Sequence, residues 1–260
     1  MPEDQSNTPS TSLGRQTNAE FEALIGELLK QAALQPEGFE LWNQWRIEHR
    51  RAAMALRDQN LARLNLEQLD FSRIAFRDCD LSYANCYRTR FEQADLSQCQ
   101  LIAVYGREMQ CSDGVFNQAE LSDANLNGAN FFRAQLRQAE MIGVLASRAD
   151  FFMADLQQAK LRGAELSRAD FRSANLRGAD LHAADLSGAR LVGADLTGAD
   201  LSAAQLLRAN LSEAILVDCN LDQAQFQQTR VHRVDFRPSL NLTATQIETM
   251  LIDDMTYFPF

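Results

Sequence analysis

The residues equipped for chemistry are few and scattered, apart from one row of acids. The three histidines, His49, His182 and His232, stand alone, with no HExxH pair and no carboxylate at metal-ligand spacing. A P-loop, a dinucleotide glycine fingerprint and a GxSxG elbow are also missing. Five cysteines are an odd number for a disulfide framework. The start MPEDQSNTPSTSLGRQT has neither the basic stretch nor the apolar core of a secretion signal, so reduced thiols and a cytoplasmic location are expected. Asp150, Asp155, Asp170, Asp180, Asp185, Asp195 and Asp200 are the one row that could pair carboxylates for general acid–base work. Their recurrence at multiples of five points instead to a group that every corner of the fold needs, solvated or bonded to a turn. The sequence therefore predicts no catalytic residue, no metal and no cofactor.

That recurrence belongs to a repeat. From Ala179 the chain reads ADLHA ADLSG ARLVG ADLTG ADLSA AQLLR ANLSE, and the frame holds from Leu61 to Phe236 without a break. Its 36 central positions hold 21 Leu and 9 Phe, the exceptions being Cys86, Gly106, Cys111, Met141, Ala146 and Val231. Ala predominates two residues before each centre. On an α-helix five residues advance about 500°, and on a strand an odd spacing alternates faces, so neither element buries every centre. A chain that turns a corner every five residues does. Seven glycines, among them Gly128 and Gly163, share the position two after the centre, where a turn calls for positive φ.

The phenylalanines count the sides. Phe71, Phe91, Phe131, Phe151 and Phe171 are separated by multiples of twenty, as are Phe76, Phe116 and Phe236, whereas a period of fifteen scatters them. Four sides per coil and about nine coils, spaced roughly 4.8 Å apart, predict an all-β solenoid about 43 Å long. Where Gly106 removes bulk from a centre, Val104 and Met109 restore it in neighbouring inward slots. Cys79 and Cys99 share a column one coil apart, and Cys86 and Cys111 take centres; all read as small buried hydrophobes rather than a bridge.

The expected organisation is a disordered tail over 1–17, a helical cap over 18–60, the β-helix over 61–236 and a C-terminal helix and tail over 237–260. Asn18 can cap a helix carrying Phe21, Leu24, Ile25, Leu28, Leu29 and Ala32, and Pro36 can open a second carrying Leu41, Trp42 and Trp45. Thr243 and Gln246 form a capping-box pattern ahead of Ile247, Met250 and Leu251. Tyr257, Phe258 and Phe260 are apolar enough to pack on the last coil or on a second subunit.

Net charge is −10, against direct nucleic-acid binding, and the repeat region mixes 23 acidic with 18 basic residues. No run approaches the roughly 20 apolar residues of a membrane span. The informative surface departures are apolar residues in outward slots. Phe132 and Phe152 lie twenty apart on one side with Met153 beside them and Val192 two coils on, while Ile102 and Ile142 share another side. Such a strip is a candidate protein-docking surface, unless a cap or tail covers it.

The A-D/N-L/F-S/T/R-X pattern resembles the pentapeptide-repeat family over about two thirds of the chain. The resemblance implies a right-handed quadrilateral β-helix. Trp42-Asn43-Gln44-Trp45-Arg46 resembles the W-N-x-W-R sequence that often precedes the repeats in bacterial members, and Leu242, Thr243, Gln246, Asp253, Asp254, Thr256 and Pro259 resemble a common terminal helix and tail. Its best understood branch, the quinolone-resistance and gyrase-interacting proteins, implies a DNA-like rod that dimerises through C-terminal elements and occupies type II topoisomerases. This chain departs from that branch, having no loop in its frame and basic residues spread among the acids. The expected function is a non-enzymatic scaffold for an unidentified protein partner. The alternatives are a DNA-mimicking binder of DNA gyrase and an activity residing in the N-terminal helical region.

Overall fold

The computed structural model describes residue 26, residues 38–48 and residues 54–259, with the backbone alone at 38, 39, 41 and 54. The helix expected from Asn18 and the tail over 1–17 lie outside the described residues, as does Phe260.

One corner explains the rest. The carbonyl of nearly every centre accepts the N–H three residues on, as from Leu64 to Leu61 at 3.3 Å, and the residue two after the centre has positive φ at every corner from Arg63 (62°) to Arg233 (57°). This is the signature of a type II turn. The glycines expected there adopt it, Gly128 at 69° and Gly163 at 64°. Arg, Gln, Asp and Glu hold the same conformation elsewhere, although side chains disfavour it, because the coil leaves no other path.

Between corners the chain runs straight and pairs in parallel with the coil twenty residues on. Asn60 bridges Asp80, Asn65 bridges Asn85, Asp70 bridges Arg90 and Ala75 bridges Asp95, one bridge for each of four sides. Each bridge is held by main-chain bonds such as Leu61 N–H to Asp80 O (2.7 Å) and Asn85 N–H to Leu64 O (2.9 Å). The ladder starts at β1 (Met54–Arg57), which pairs with β2 (Ile74–Arg77), so Leu56 is a buried centre one side ahead of Leu61.

Inside, the leucines and phenylalanines share one axis and the alanine slots are closed to solvent. Phe131, Phe151 and Phe171 stack at 5.2 and 4.9 Å with planes within 7°. A Cβ on Gly106 would lie 2.9 Å from Leu126 and 3.3 Å from the Met109 sulfur, so these two side chains fill the space that the glycine leaves. Gly114 makes room for Phe116, whose ring would lie 2.8 Å from an added Cβ.

The ends are edges with unpaired backbone. At the first, α1 (Gly38–Glu48) lies across the Phe71 side. Asn43 donates to Gln68 O (3.1 Å) and accepts from Asp70 N–H (2.8 Å), Arg46 donates to Asp70 O (3.2 Å) and Ser72 O, and buried Trp42 donates to Asp70 O (2.8 Å) while resting 5.3 Å from Phe71. These side chains take the place of a missing coil. At the other end the corner slot falls on Pro238, whose ring fixes φ near −65°, and the five-residue rhythm stops. The capping box of α2 (Ala244–Ile247) forms, but the helix is a single turn: Met250 is buried and Leu251 returns to the ladder opposite Arg230 rather than extending the expected helical face.

Candidate protein-interaction surface

The seven acids of the repeat are the side chains best suited to chemistry by type and spacing. All seven sit one residue before a centre and accept the backbone N–H two residues on, from Phe152 to Asp150 (2.9 Å) through Ser202 to Asp200 (2.9 Å). At Asp170 burial opposes ionisation, but hydrogen bonds from Arg172 and the charge of Arg190 hold the carboxyl below its ordinary value. His182 lies in an outward slot, its Nδ1 2.8 Å from Ser202 Oγ. Burial pushes the thiols of Cys86, Cys99 and Cys219 up to about 12. Cys79 and Cys99 point at the carbonyls of Leu56 and Phe76, at 3.4 and 3.5 Å, and not at each other.

The outward apolar residues are only partly brought together. Phe132 and Phe152 lie on one side with ring centroids 5.8 Å apart. Both are half-buried, because Arg133 lies 4.9 Å over one ring and Arg172 4.8 Å over the other, a cation–π roof that narrows the strip. Met153 beside them is 51% exposed, while Val192 is half-buried. Ile142 is exposed and Ile102 half-buried, with Ser122 on the coil between them. Phe258 packs on the chain's own last coil, 5.5 Å from Phe236 and nearly parallel, thereby extending the inner Phe76 column. Tyr257 stays exposed with Arg237 at 4.9 Å over its ring.

More apolar residues are exposed at the C-terminal end, of which the sequence points only to Tyr257 as a docking contact. Ile215, Val217, Leu240, Leu251, Ile252, Met255 and Tyr257 are each at least 37% exposed and all fall in the last coils and tail. The available signal was Ile215 and Val217, which flank Leu216 in two slots otherwise mostly polar. Charge is alternated rather than massed. On the Leu61 side, Asp80, Glu120, Glu140, Asp180 and Asp200 form the longest acidic column, and Lys160, paired with Glu140, interrupts it beside Arg162.

Four parallel ladders with a closed apolar interior define a solenoid repeat protein whose exposed features are surfaces rather than pockets around reactive groups. The model for pentapeptide repeats matches eight copies, over residues 60–98, 110–145, 129–167, 149–188, 164–202 and 204–237. The chain belongs to the pentapeptide-repeat family, whose fold is the right-handed β-helix. Among solved structures it is similar to HetL from the cyanobacterium Nostoc sp. strain PCC 7120, a pentapeptide repeat protein involved in heterocyst differentiation regulation, at 27% identity over 79% of this chain and 92% of that one, TM-score 0.43. It is also similar to a trypsin-treated variant of QnrB1, a plasmid-mediated fluoroquinolone resistance protein, at 20% identity over 78% and 90%, TM-score 0.44. No curated protein is significantly similar in sequence.

Proposed function

We propose that the chain is a non-enzymatic scaffold acting in the cytoplasm, a rod of about nine coils with capped ends that binds a protein partner at its C-terminal end. The observation that carries this reading is that Ile215, Val217, Leu240, Leu251, Ile252, Met255 and Tyr257 are all exposed at the C-terminal end, Ile215 and Tyr257 on the Phe76 side, Leu240 on the Leu61 side and Leu251 on the Phe71 side, of a rod whose sides are otherwise mostly polar. Burying one such side chain is worth roughly 1.5–3 kcal/mol, so a partner that covers a few of them gains appreciable affinity. The partner is a second copy of the chain or another protein, and it meets Ile252 and Met255 rather than Phe258, which its own coil already holds.

Ile252→Asp with Met255→Asp tests the reading, because both side chains are more than half exposed and their replacement leaves the coils intact. Self-association by light scattering, or capture of a specific protein from host extract, is expected for the natural chain and is lost in the double variant. Association that survives both substitutions overturns it, as does a chain that stays monomeric and captures nothing. The alternative, a DNA mimic bound to a type II topoisomerase, calls for a continuous anionic face, and the broken acidic column does not supply one. A gyrase supercoiling assay is accordingly expected to show neither inhibition nor protection from quinolones.

A further inference from the structure

The Leu66 side carries an arrangement that neither the fold nor the C-terminal surface accounts for. At four other places, corner side chains one coil apart are matched: Arg88 with Glu108 (2.8 Å), Arg133 with Asp113 (2.7 Å), Arg233 with Glu213 (3.2 Å) and Arg73 with Gln93 (3.0 Å). Arg148 and Arg168 are stacked on adjacent coils with no carboxylate or amide between them. Like charges in neighbouring, directly opposed positions destabilise a sheet. Stacked acids such as Asp180 and Asp200 are explained by the turn N–H each accepts, but the arginines have no such task. Both also sit at positive φ, 60° and 59°, between corners where Gly128 and Gly188 avoid that strain.

Their surroundings suit an anion. A groove of about 790 Å³ runs beside them, lined by Arg107, Ser147, Ser167 and Ser187 as well as the two arginines. Ser147 Oγ and Ser167 Oγ are hydrogen-bonded to each other at 3.0 Å, which leaves the accepting hydroxyl's own proton to turn toward a ligand, and the absence of a side chain at Gly188 leaves an open shelf where the Arg168 stem lies. The acid in the groove, Glu108, is engaged by Arg88; Glu165 and Asp185 stand on the same side but do not line it, and across the corner Asp170 is held by Arg172 and Arg190. We infer that the groove between Arg148, Arg168 and the Ser147–Ser167 pair binds a phosphate monoester, its oxygens shared by two guanidiniums and the serine hydroxyls. Paired forks of this kind match phosphate geometry and give short, charge-assisted bonds.

The test uses the full chain and three probes at matched ionic strength: inorganic phosphate, pyrophosphate, and a neutral peptide carrying one phosphoserine, with its unphosphorylated form as control. Calorimetric titration is expected to show saturable binding of at least one phosphorylated probe, and its preference tells a phosphorylated protein segment from a free phosphate compound. Arg148→Gln with Arg168→Gln should weaken that binding at least tenfold. Gln already occupies the same corner at 68 and 228, so the fold tolerates it, which circular dichroism verifies. Arg162→Gln on another side, and Ile252→Asp at the C-terminal end, should leave binding unchanged. No saturable binding by any probe, or equal binding by the double arginine variant, overturns the inference.

Discussion

At the scale of single residues, each position in the five-residue unit has a bonding reason. The N–H following a centre has no partner in the ladder, and an Asp or Asn one residue before the centre accepts it, as Asp80 does for Ser82 at 2.8 Å. The slot two before the centre mostly holds Ala, and a hydroxyl or thiol there can reach the preceding coil: Thr89 Oγ1 donates to Leu66 O (2.8 Å) and Thr229 Oγ1 to Leu206 O (2.6 Å), in the manner of Cys79 and Cys99. The five cysteines are all buried and free. A thiol whose ionisation burial suppresses is unavailable as a nucleophile. Iodoacetamide at pH 8 should therefore leave the native chain unlabelled, whereas in guanidinium all five should react; mass spectrometry counts the adducts. Labelling of Cys86 or Cys111 in native buffer would refute their placement at the core centres.

At the scale of elements, what the chain announces is what repeats. Leu, Ala, Asp and corner glycine recur at a fixed period, so the coils and their four columns were readable from Leu61 onward. Leu56 was not, because Met54 and Ala55 stand where the pattern has Ala and Asp, and only pairing with Phe76 reveals the extra side. Beyond Pro238 the ladder persists at altered spacing, with Leu251 opposite Arg230 and Tyr257 opposite Asp235, so no period marks it. The edge-closing role of Asn43 was invisible for a different reason: it depends on an amide meeting backbone groups 25 and 27 residues away. Asn43→Ala strips a donor and an acceptor from that edge at once. The expected loss is about 2 kcal/mol in urea unfolding, against almost none for the exposed neighbour Gln44→Ala; equal effects would mean that α1 is held by Trp42 and Arg46 without Asn43.

At the scale of the whole molecule, stacking identical coils also stacks their charges, and the rod must offset what its own periodicity creates. Asp150 and Asp170 face each other across one coil, and Arg172 and Arg190 converge on Asp170 at 2.7 and 3.1 Å. Asp195 and Asp200 are likewise held below the ordinary carboxylate range, where burial is outweighed by hydrogen bonds from Thr197 and Ser202. A carboxyl with a depressed value in the folded chain binds protons less readily there than when unfolded. Its contribution is thus complete above the ordinary value, near 3.9, and disappears as the pH falls through the folded one. Asp170→Asn isolates this effect, because Asn130 and Asn210 show that an amide accepts the same turn N–H, at 3.0 and 3.1 Å. The variant keeps the corner and loses the charge facing two guanidiniums. Its melting temperature should lie below that of the natural chain at pH 7, by a margin that holds down to about pH 5 and closes as the pH falls past the ordinary carboxylate value and through the lower folded one. An unchanged margin throughout would place the contribution of Asp170 in the turn and not in its charge.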